Sequence, residues 1–380
     1  MEIRQLNEIT INLDNKRKPL NNVQRDMMKT NPKYPYYGAN GIVDFIDDYI
    51  FDQEILCVAE DGGSWGKNEK CSYIVYDKCW VNNHAHVLVA TSSIDIKYLS
   101  YYLNQCDLNK YITGTTRGKL TKKALDSILI PLPPLQTQKK IVEILDKAQE
   151  IIDGRKEQIK LMDELIQYTF YEMFGDPVTN PKGWDVKKLS DIVSKLSSGK
   201  SLAGDRDSYY KVLNTSGVSY KYLDDNKVKN LPYDYTPPRE HLINQSDILI
   251  SRMNTNELVG AAAISKKSYD NIAIPDRIWK VNWKGDCSPI YVWFLLNTRY
   301  FRRRVTNIAT GTSGSMKNVS QKNYLSLDIP YPPLHLQNQF AKKVEAIEKQ
   351  KELMEKSLTA LENNYNALMQ KAFNGELFQE

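Results

Sequence analysis

Four short stretches of the chain hold residue types that do chemistry in other settings. "SSGKS", Ser197 to Ser201, has the Gly-Lys-Ser ending of a loop that wraps nucleotide phosphates in backbone N–H groups. That loop requires a glycine five residues before Gly199, and the residue there is Ser194. "NPKY", Asn31 to Tyr34, approaches the Asn-Pro-Pro-Tyr pattern with which amino-methyltransferases hold a flipped base. Lys33 stands where the second proline belongs, and no glycine-rich cofactor loop accompanies it. "NNHAH" carries His84 and His86, which at i and i+2 would share one face of a strand and could begin a metal site. No third ligand falls at a recognised spacing, so satisfied polar structure is expected and no metal is assigned. "IPDRIWK", Ile274 to Lys280, offers one aspartate without the matched Glu-x-Lys of a nuclease site, and residues paired within a strand are expected instead.

What is left is recognition rather than reaction. Arg and Asn side chains bond bidentately to guanine and adenine edges in the major groove, and Lys and Arg grip phosphates. Loops with such tips are Lys67 and Asn68 in "GSWGKN", Arg117 and Lys119 in "TGTTRGKL", Arg252, Asn254 and Asn256 in "SRMNTNE", and Lys317 and Asn318 in "GSMKN". The run "RYFRRRVTN", with Arg299 and Arg302 to Arg304, suits phosphate contact or helix capping; Arg302 and Arg303 join the contact set. Lys and Arg exceed Asp and Glu by 51 − 46 = 5, an excess that permits a polyanionic partner without demanding one.

These loops need a frame, and the chain is long enough to build one twice. At 380 residues and 41% apolar content it has room for two cored domains. No run of 18 apolar residues exists and "MEIRQLNEIT" lacks the pattern of a signal peptide, so a cytoplasmic location and no membrane partner are expected. The five cysteines show no C-x-x-C spacing, which favours buried free thiols.

The frame repeats. "IPLPPLQTQKKIVEILDKAQEIIDG" from Ile130 returns as "IPYPPLHLQNQFAKKVEAIEKQKEL" from Ile329, at an offset of 199 that also relates Gln138 to Gln337 and Phe174 to Phe373. "MEIRQLNEI" returns as "WDVKKLSDI", with Ile3, Leu6 and Ile9 matched by Val186, Leu189 and Ile192. Each half is a globule followed by a long helix. Runs such as "EILCVAE", "CSYIVYD", "HVLVA" and "DILISRM", cut by Gly, Asn and Asp, read as strands. One helix per globule is expected, in "DIKYLSYYLNQCDLNKYI" and "SPIYVWFLLNTRYFRRRVTNI".

Both long helices carry a heptad seam. In the first it runs through Ile141, Leu145, Ala148, Ile152, Ile159, Met162 and Ile166, broken at Arg155 and Thr169. In the second it runs through Phe340, Val344, Ile347, Met354, Leu358, Leu361, Tyr365 and Leu368, broken at Lys351. Matching registers favour packing of the two seams on each other. A first helix from Gln136 to Phe174 spans roughly 58 Å at 1.5 Å per residue, and a globule of this size is only about 38 Å across. A parallel second helix would require a long return path, so antiparallel packing is expected. The fold class is α+β: two mainly-β globules separated by two long antiparallel helices forming a coiled coil, with a pseudo-two-fold internal repeat. Unlike globules on a rigid spacer suit an asymmetric, split target.

These residues resemble the specificity (S) subunits of type I restriction-modification enzymes across nearly the whole chain. The resemblance rests on the doubled proline-gated helix starts, on "YPYYGANGIVDFIDDYIFDQEILCVAEDG" and "WVNNHAHVL" in the first half, and on "GDPVTNPKGWDVKKLSDI" opening the second. It implies target-recognition domains over 1–130 and 184–329, with a central helical segment over 131–183 and a C-terminal one over 330–380. It further implies a non-catalytic subunit that recognises double-stranded DNA at a bipartite asymmetric target and directs two methyltransferase (M) subunits and endonuclease (R) subunits to it. This chain would hold no cofactor: S-adenosylmethionine belongs to the M subunit, ATP and Mg to the R subunit. Two other readings stay open, a recognition subunit for a fused nuclease-methyltransferase and a protein-binding coiled-coil scaffold.

Overall fold

The structure, a computed structural model, describes residues 2–114, 116–311 and 316–378. Part of the "TGTSGSMKN" loop and one residue of "TGTTRGKL" thus lie outside the described residues. Two compact units form, one from Met1–Glu157 with Glu355–Glu380, the other from Gln158–Met354.

In the first unit β1 (Glu2–Gln5) leads through a single helical turn α1 (Leu6–Ile9) into β2 (Thr10–Asn12). A short α2 (Asn22–Met27) precedes the hairpin β3 (Tyr34–Gly38) and β4 (Gly41–Ile46), followed by β5 (Ile55–Ala59), β6 (Ser72–Val75), β7 (Trp80–Val81) and β8 (Ala85–Ala90). Then come α3 (Ile96–Gln105), the small hairpin β9 (Ile112–Thr113) and β10 (Lys119–Leu120), α4 (Lys122–Asp126), β11 (Leu129–Leu132) and the long α5 (Leu135–Phe174). The sheets run β2-β8-β5-β6 and β4-β3-β7, and β1 pairs with β11. β5, the apolar run Ile-Leu-Cys-Val-Ala, is buried along its whole length, as an inner strand covered on both faces must be.

The second unit repeats the plan. β12 (Val186–Lys188), α6 (Leu189–Ile192), β13 (Val193–Ser197), β14 (Lys211–Leu213), β15 (Val228–Asn230), β16 (Ile248–Ser251), β17 (Met253–Asn254), β18 (Ala262–Ile264), β19 (Ile272–Ala273) and β20 (Ile278–Trp283) precede α7 (Pro289–Leu296) and α8 (Arg299–Ile308). β21 (Lys317–Asn318), α9 (Gln321–Leu325), β22 (Asp328–Pro330) and α10 (Leu334–Phe373) complete it. Its sheets run β13-β20-β16-β18 and β15-β14-β19, with β12 on β22, strand for strand the order of the first unit. The stretch from Ser288, expected as one helix, is two. Thr298 accepts from the Phe301 N–H at 3.3 Å, capping a new helix where Asn297 ends the old one.

The repeated helix start is a repeated bond set. Gln138 is fully buried and accepts from the Asp95 N–H at 2.8 Å while donating to the Ser93 and Pro133 carbonyls at 3.1 and 2.8 Å. Gln337, equally buried, accepts from the Ser288 N–H at 3.1 Å and donates to the Pro332 carbonyl at 2.8 Å. Tyr98 and Tyr291 each donate to a proline carbonyl of the strand before the helix, Pro131 and Pro330, both at 2.8 Å. The glutamine amide thus locks each long helix to the turn opening α3 or α7, satisfying backbone groups that would otherwise be buried unpaired.

Within the first unit Ile141, Val142 and Leu145 of α5 share a core with Met369, Ala372 and Phe373 from the end of α10. Within the second, Ile166, Phe170 and Phe174 share one with Phe340 and Val344 from its start. Ile141, Leu145, Ile152, Ile166, Phe340 and Val344 of the expected seam are buried; Ala148, Ile159, Met162, Ile347, Met354, Leu358, Leu361, Tyr365 and Leu368 are half-buried. Lys351, which interrupts the seam, is held by Asp163 at 2.7 Å.

Candidate nucleic-acid interface

In the first unit the segments following β5 and preceding β8 rise from the same end of the sheet, beside the β3–β4 hairpin. They enclose a cleft of about 630 Å³ whose polar lining includes Arg25, Asn40, Asp61, Asn82, His84 and Arg117. Asp61 organises it. Its carboxylate takes His84 Nδ1 at 2.7 Å and the Arg117 guanidinium at 2.9 Å. Asn82 fixes the loop by accepting from the His84 N–H at 2.8 Å. Gly62 sits at φ +66, a left-handed conformation that favours glycine, with the Arg117 guanidinium close by.

Under the cleft lies a compact charge cluster. Arg17 reaches Glu60 at 2.6 Å, Asp14 at 3.3 Å and the Ala85 carbonyl at 2.8 Å, and Lys119 reaches Glu60 at 2.9 Å. His86, buried, bonds Asp14 at 2.6 Å and the Leu120 carbonyl at 2.7 Å through its two ring nitrogens. Burial alone would raise the Asp14 carboxyl; the His86 hydrogen bond and charge, the Val87 N–H and Arg17 outweigh it and hold it below its ordinary value. Glu60 behaves alike, its burial outweighed by Arg17 and Lys119. Asp14, Glu60 and His86 bring their ligand atoms within 4.8 Å of one another, a spacing that could suit a cation. Arg17, Lys119 and the backbone already engage these atoms, so the cluster serves as structure. The two histidines do not share a site: His84 faces the cleft and His86 the interior.

Arg117 and Lys119 are exposed, each with an acidic partner, whereas Lys67 and Asn68 lie on another loop, where the Asn68 N–H donates to the Gln105 carbonyl at the end of α3. In the second unit β17 pairs with β21, setting Asn254 opposite Lys317 and Met253 opposite Asn318. Arg252 lies half-buried with its guanidinium 5.8 Å from the centre of the Trp279 ring. Asn256 is exposed in the loop that follows. Arg302 turns inward: it donates to the Glu257 carbonyl at 2.7 Å, its other terminal nitrogen is buried, and burial presses its pKa down. Arg303 is exposed on the same helix. Sequence reasoning passed over Asp61 and Arg277 as contact residues and weighed His84 only as a metal ligand. Asp276 and Arg277, expected in a strand, lie exposed in the loop before β20, where Asp276 accepts from Ser201. The polar runs "NNH" and "PDR" just ahead of apolar strands were the available signal.

The sequence matches the family model described as "Type I restriction modification DNA specificity domain" over residues 1–161 and again over 181–363. The chain belongs to this family. It is 25% identical over 347 residues to a putative type I restriction enzyme specificity subunit of Haemophilus influenzae, covering 89% of this chain and 85% of the relative. It is also 25% identical over 297 residues to the EcoKI specificity subunit of Escherichia coli, covering 73% of this chain and 63% of that one. In fold it is similar to the type I S subunit of M. genitalium, with a TM-score of 0.58 at 14% identity over 98% of this chain and 96% of that one. A chain from a structural study of assembly and conformational transition in the type I system gives a TM-score of 0.60 at 16% identity, covering 99% of this chain and 98% of that one. Among the described residues no helix of this family member is long and apolar enough to cross a membrane.

Proposed function

We propose that the chain is the sequence-reading subunit of a type I restriction-modification system. Each unit reads one half of a bipartite, asymmetric site in double-stranded DNA, and the long helices act as an antiparallel coiled-coil spacer in a pseudo-two-fold arrangement. On this reading 1–130 and 184–329 are the target-recognition domains, and 131–183 with 330–380 form the helical region on which two methyltransferase subunits dock and to which endonuclease subunits are recruited. The chain performs no chemistry itself and works in the cytoplasm; S-adenosylmethionine acts in the methyltransferase subunit, ATP and Mg in the endonuclease subunit. Arg117, Lys119, Asn254, Asn256 and Lys317, at the loop ends of the sheets, and Arg303 on α8 contact DNA, with Lys67, Asn68, Arg252 and Asn318 at the margins; Arg302, turned inward onto the Glu257 carbonyl, braces that loop instead.

The observation that carries this reading is the doubled plan with unlike tips. The strand order is the same in both units, yet one offers Asp61, His84 and Lys119 where the other offers Met253, Arg277 and Asn318. One scaffold with two sets of tips suits two half-sites of different sequence. Co-expression with its methyltransferase subunit and sequencing of the modified genome should return a single motif of two unlike parts around a fixed spacer. A palindromic motif, or modification without a motif, would refute the reading.

A further inference from the structure

The two units share a pattern of backbone hydrogen bonds at the loop end of the sheet. In the first, the Glu60 N–H donates to the His84 carbonyl at 2.8 Å and the Leu120 N–H to the Glu60 carbonyl at 2.8 Å. In the second, the Arg252 N–H donates to the Arg277 carbonyl at 3.1 Å and the Val319 N–H to the Arg252 carbonyl at 3.0 Å. The ladders correspond bond for bond, so Glu60 answers to Arg252 and His84 to Arg277. Two residues further on, His86 and Trp279 are both buried inside β8 and β20, whereas His84 and Arg277 lie in the loops just ahead of those strands, at the rim of each sheet.

What occupies that rim position differs in chemistry and agrees in readiness. Arg277 is exposed and, among the described residues, its side chain makes no hydrogen bond or ion pair, although its backbone is pinned in the ladder. His84 is tied through Nδ1 to Asp61, leaving Nε2 toward the cleft. A carboxylate accepts at Nδ1, so the neutral ring presents Nε2 as an acceptor.

We infer that Arg277 and His84 are paired specificity-determining residues, one for each half-site: Arg277 reads a guanine through O6 and N7, and His84 accepts from the exocyclic amine of an adenine or cytosine. This rests on the reading of each unit as a DNA reader. A guanidinium fork without an internal partner, on a backbone pinned in the ladder, matches the two acceptors of guanine and has no ion pair to break on binding. The His84 ring, aimed by Asp61, accepts one donor.

The test is the modified-genome motif of the chain with its methyltransferase subunit, for the native protein and for Arg277→Ala, Arg277→Lys and His84→Ala. Arg277→Ala should relax one guanine position in one half-site, with discrimination falling about tenfold or more, and leave the other half-site intact. Arg277→Lys keeps the charge and fold but lacks the fork, and should relax the same position. His84→Ala should relax one adenine or cytosine position in the other half-site. An unchanged motif in both Arg277 variants overturns the inference, as does a uniform loss of modification by variants that melt like the native protein, which would mark phosphate contact. Relaxation of the same half-site by Arg277→Ala and His84→Ala also overturns it. If the native protein yields no bipartite motif, it is the underlying reading that fails.

Discussion

Arg17 is the side chain on which the first unit's charge cluster turns, because its guanidinium joins Asp14, Glu60 and a carbonyl of β8. Arg17→Ala removes the cation that Asp14 and Glu60 share, while His86 and Lys119 still engage them, and should cost about 1.5–3 kcal/mol, read from urea melts. The same cluster sets an acid limit. Asp14 and Glu60 titrate below their ordinary values in the folded chain, so their stabilisation is complete above the ordinary carboxylate range. It is lost as pH falls below that range through the depressed values. Urea midpoints followed downward from pH 7 should drop steeply in the native protein and more gently in Asp14→Asn, which lacks one of the two groups. None of this was legible in the sequence. Asp14 and Arg17 are three residues apart, but Glu60 and His86 lie far along the chain, and only the pairing of β5 with β8 and the turn after β2 gathers the four. His84 and His86 looked like one motif because alternation along a strand would align them, but His84 precedes β8 and follows the loop instead.

The long helices were legible as elements because their signal is local: a proline gate, a heptad seam and matching registers at an offset of 199. Phe170, beside the seam in the last turns of α5, has the ring centres of Phe294, Phe340 and Tyr291 at 4.7, 5.6 and 5.9 Å. Phe170→Ala should cost about 3–5 kcal/mol, measured by chemical denaturation. Leu145, fully buried, cannot accept a charge, and Leu145→Asp should remove several kcal/mol from the first unit. Gly154 offers the opposite case. It is exposed inside α5 with open space where a side chain would go, so Gly154→Ala should stabilise by about 0.5–1 kcal/mol, seen as a small rise in Tm. The shorter elements were harder to read. The division of Pro289–Ile308 into two helices depends on one hydroxyl of Thr298, and a continuous run of three- and four-residue spacings conceals such a cap.

For the whole molecule, the proposed spacer makes the helices a ruler. At 40 residues each they span about 60 Å, and half-site centres about one DNA turn apart, roughly 10 base pairs, are expected. Four residues inserted after Lys160 add about 6 Å and slightly over one turn, nearly keeping the buried face. The modified-genome motif of that variant should show a spacer longer by one or two base pairs and unchanged half-sites; an unchanged spacer in a functional variant would end the ruler idea. The base identities themselves were never legible in the sequence, because loop geometry chooses them; the doubled frame was, because both halves write it out. That frame is not cut where the polypeptide is. The first unit takes its core from residues near the start and from Met369, Ala372 and Phe373, whereas the second is drawn from one unbroken stretch, Gln158–Met354. On a ribosome adding about 5–20 residues per second, the half made first must wait for the half made last. The second unit can close while the first still exposes the apolar face around Tyr98, Ile141 and Leu145. Order of birth and order of completion are therefore reversed, and the interval between them is when a nascent chain most needs a chaperone.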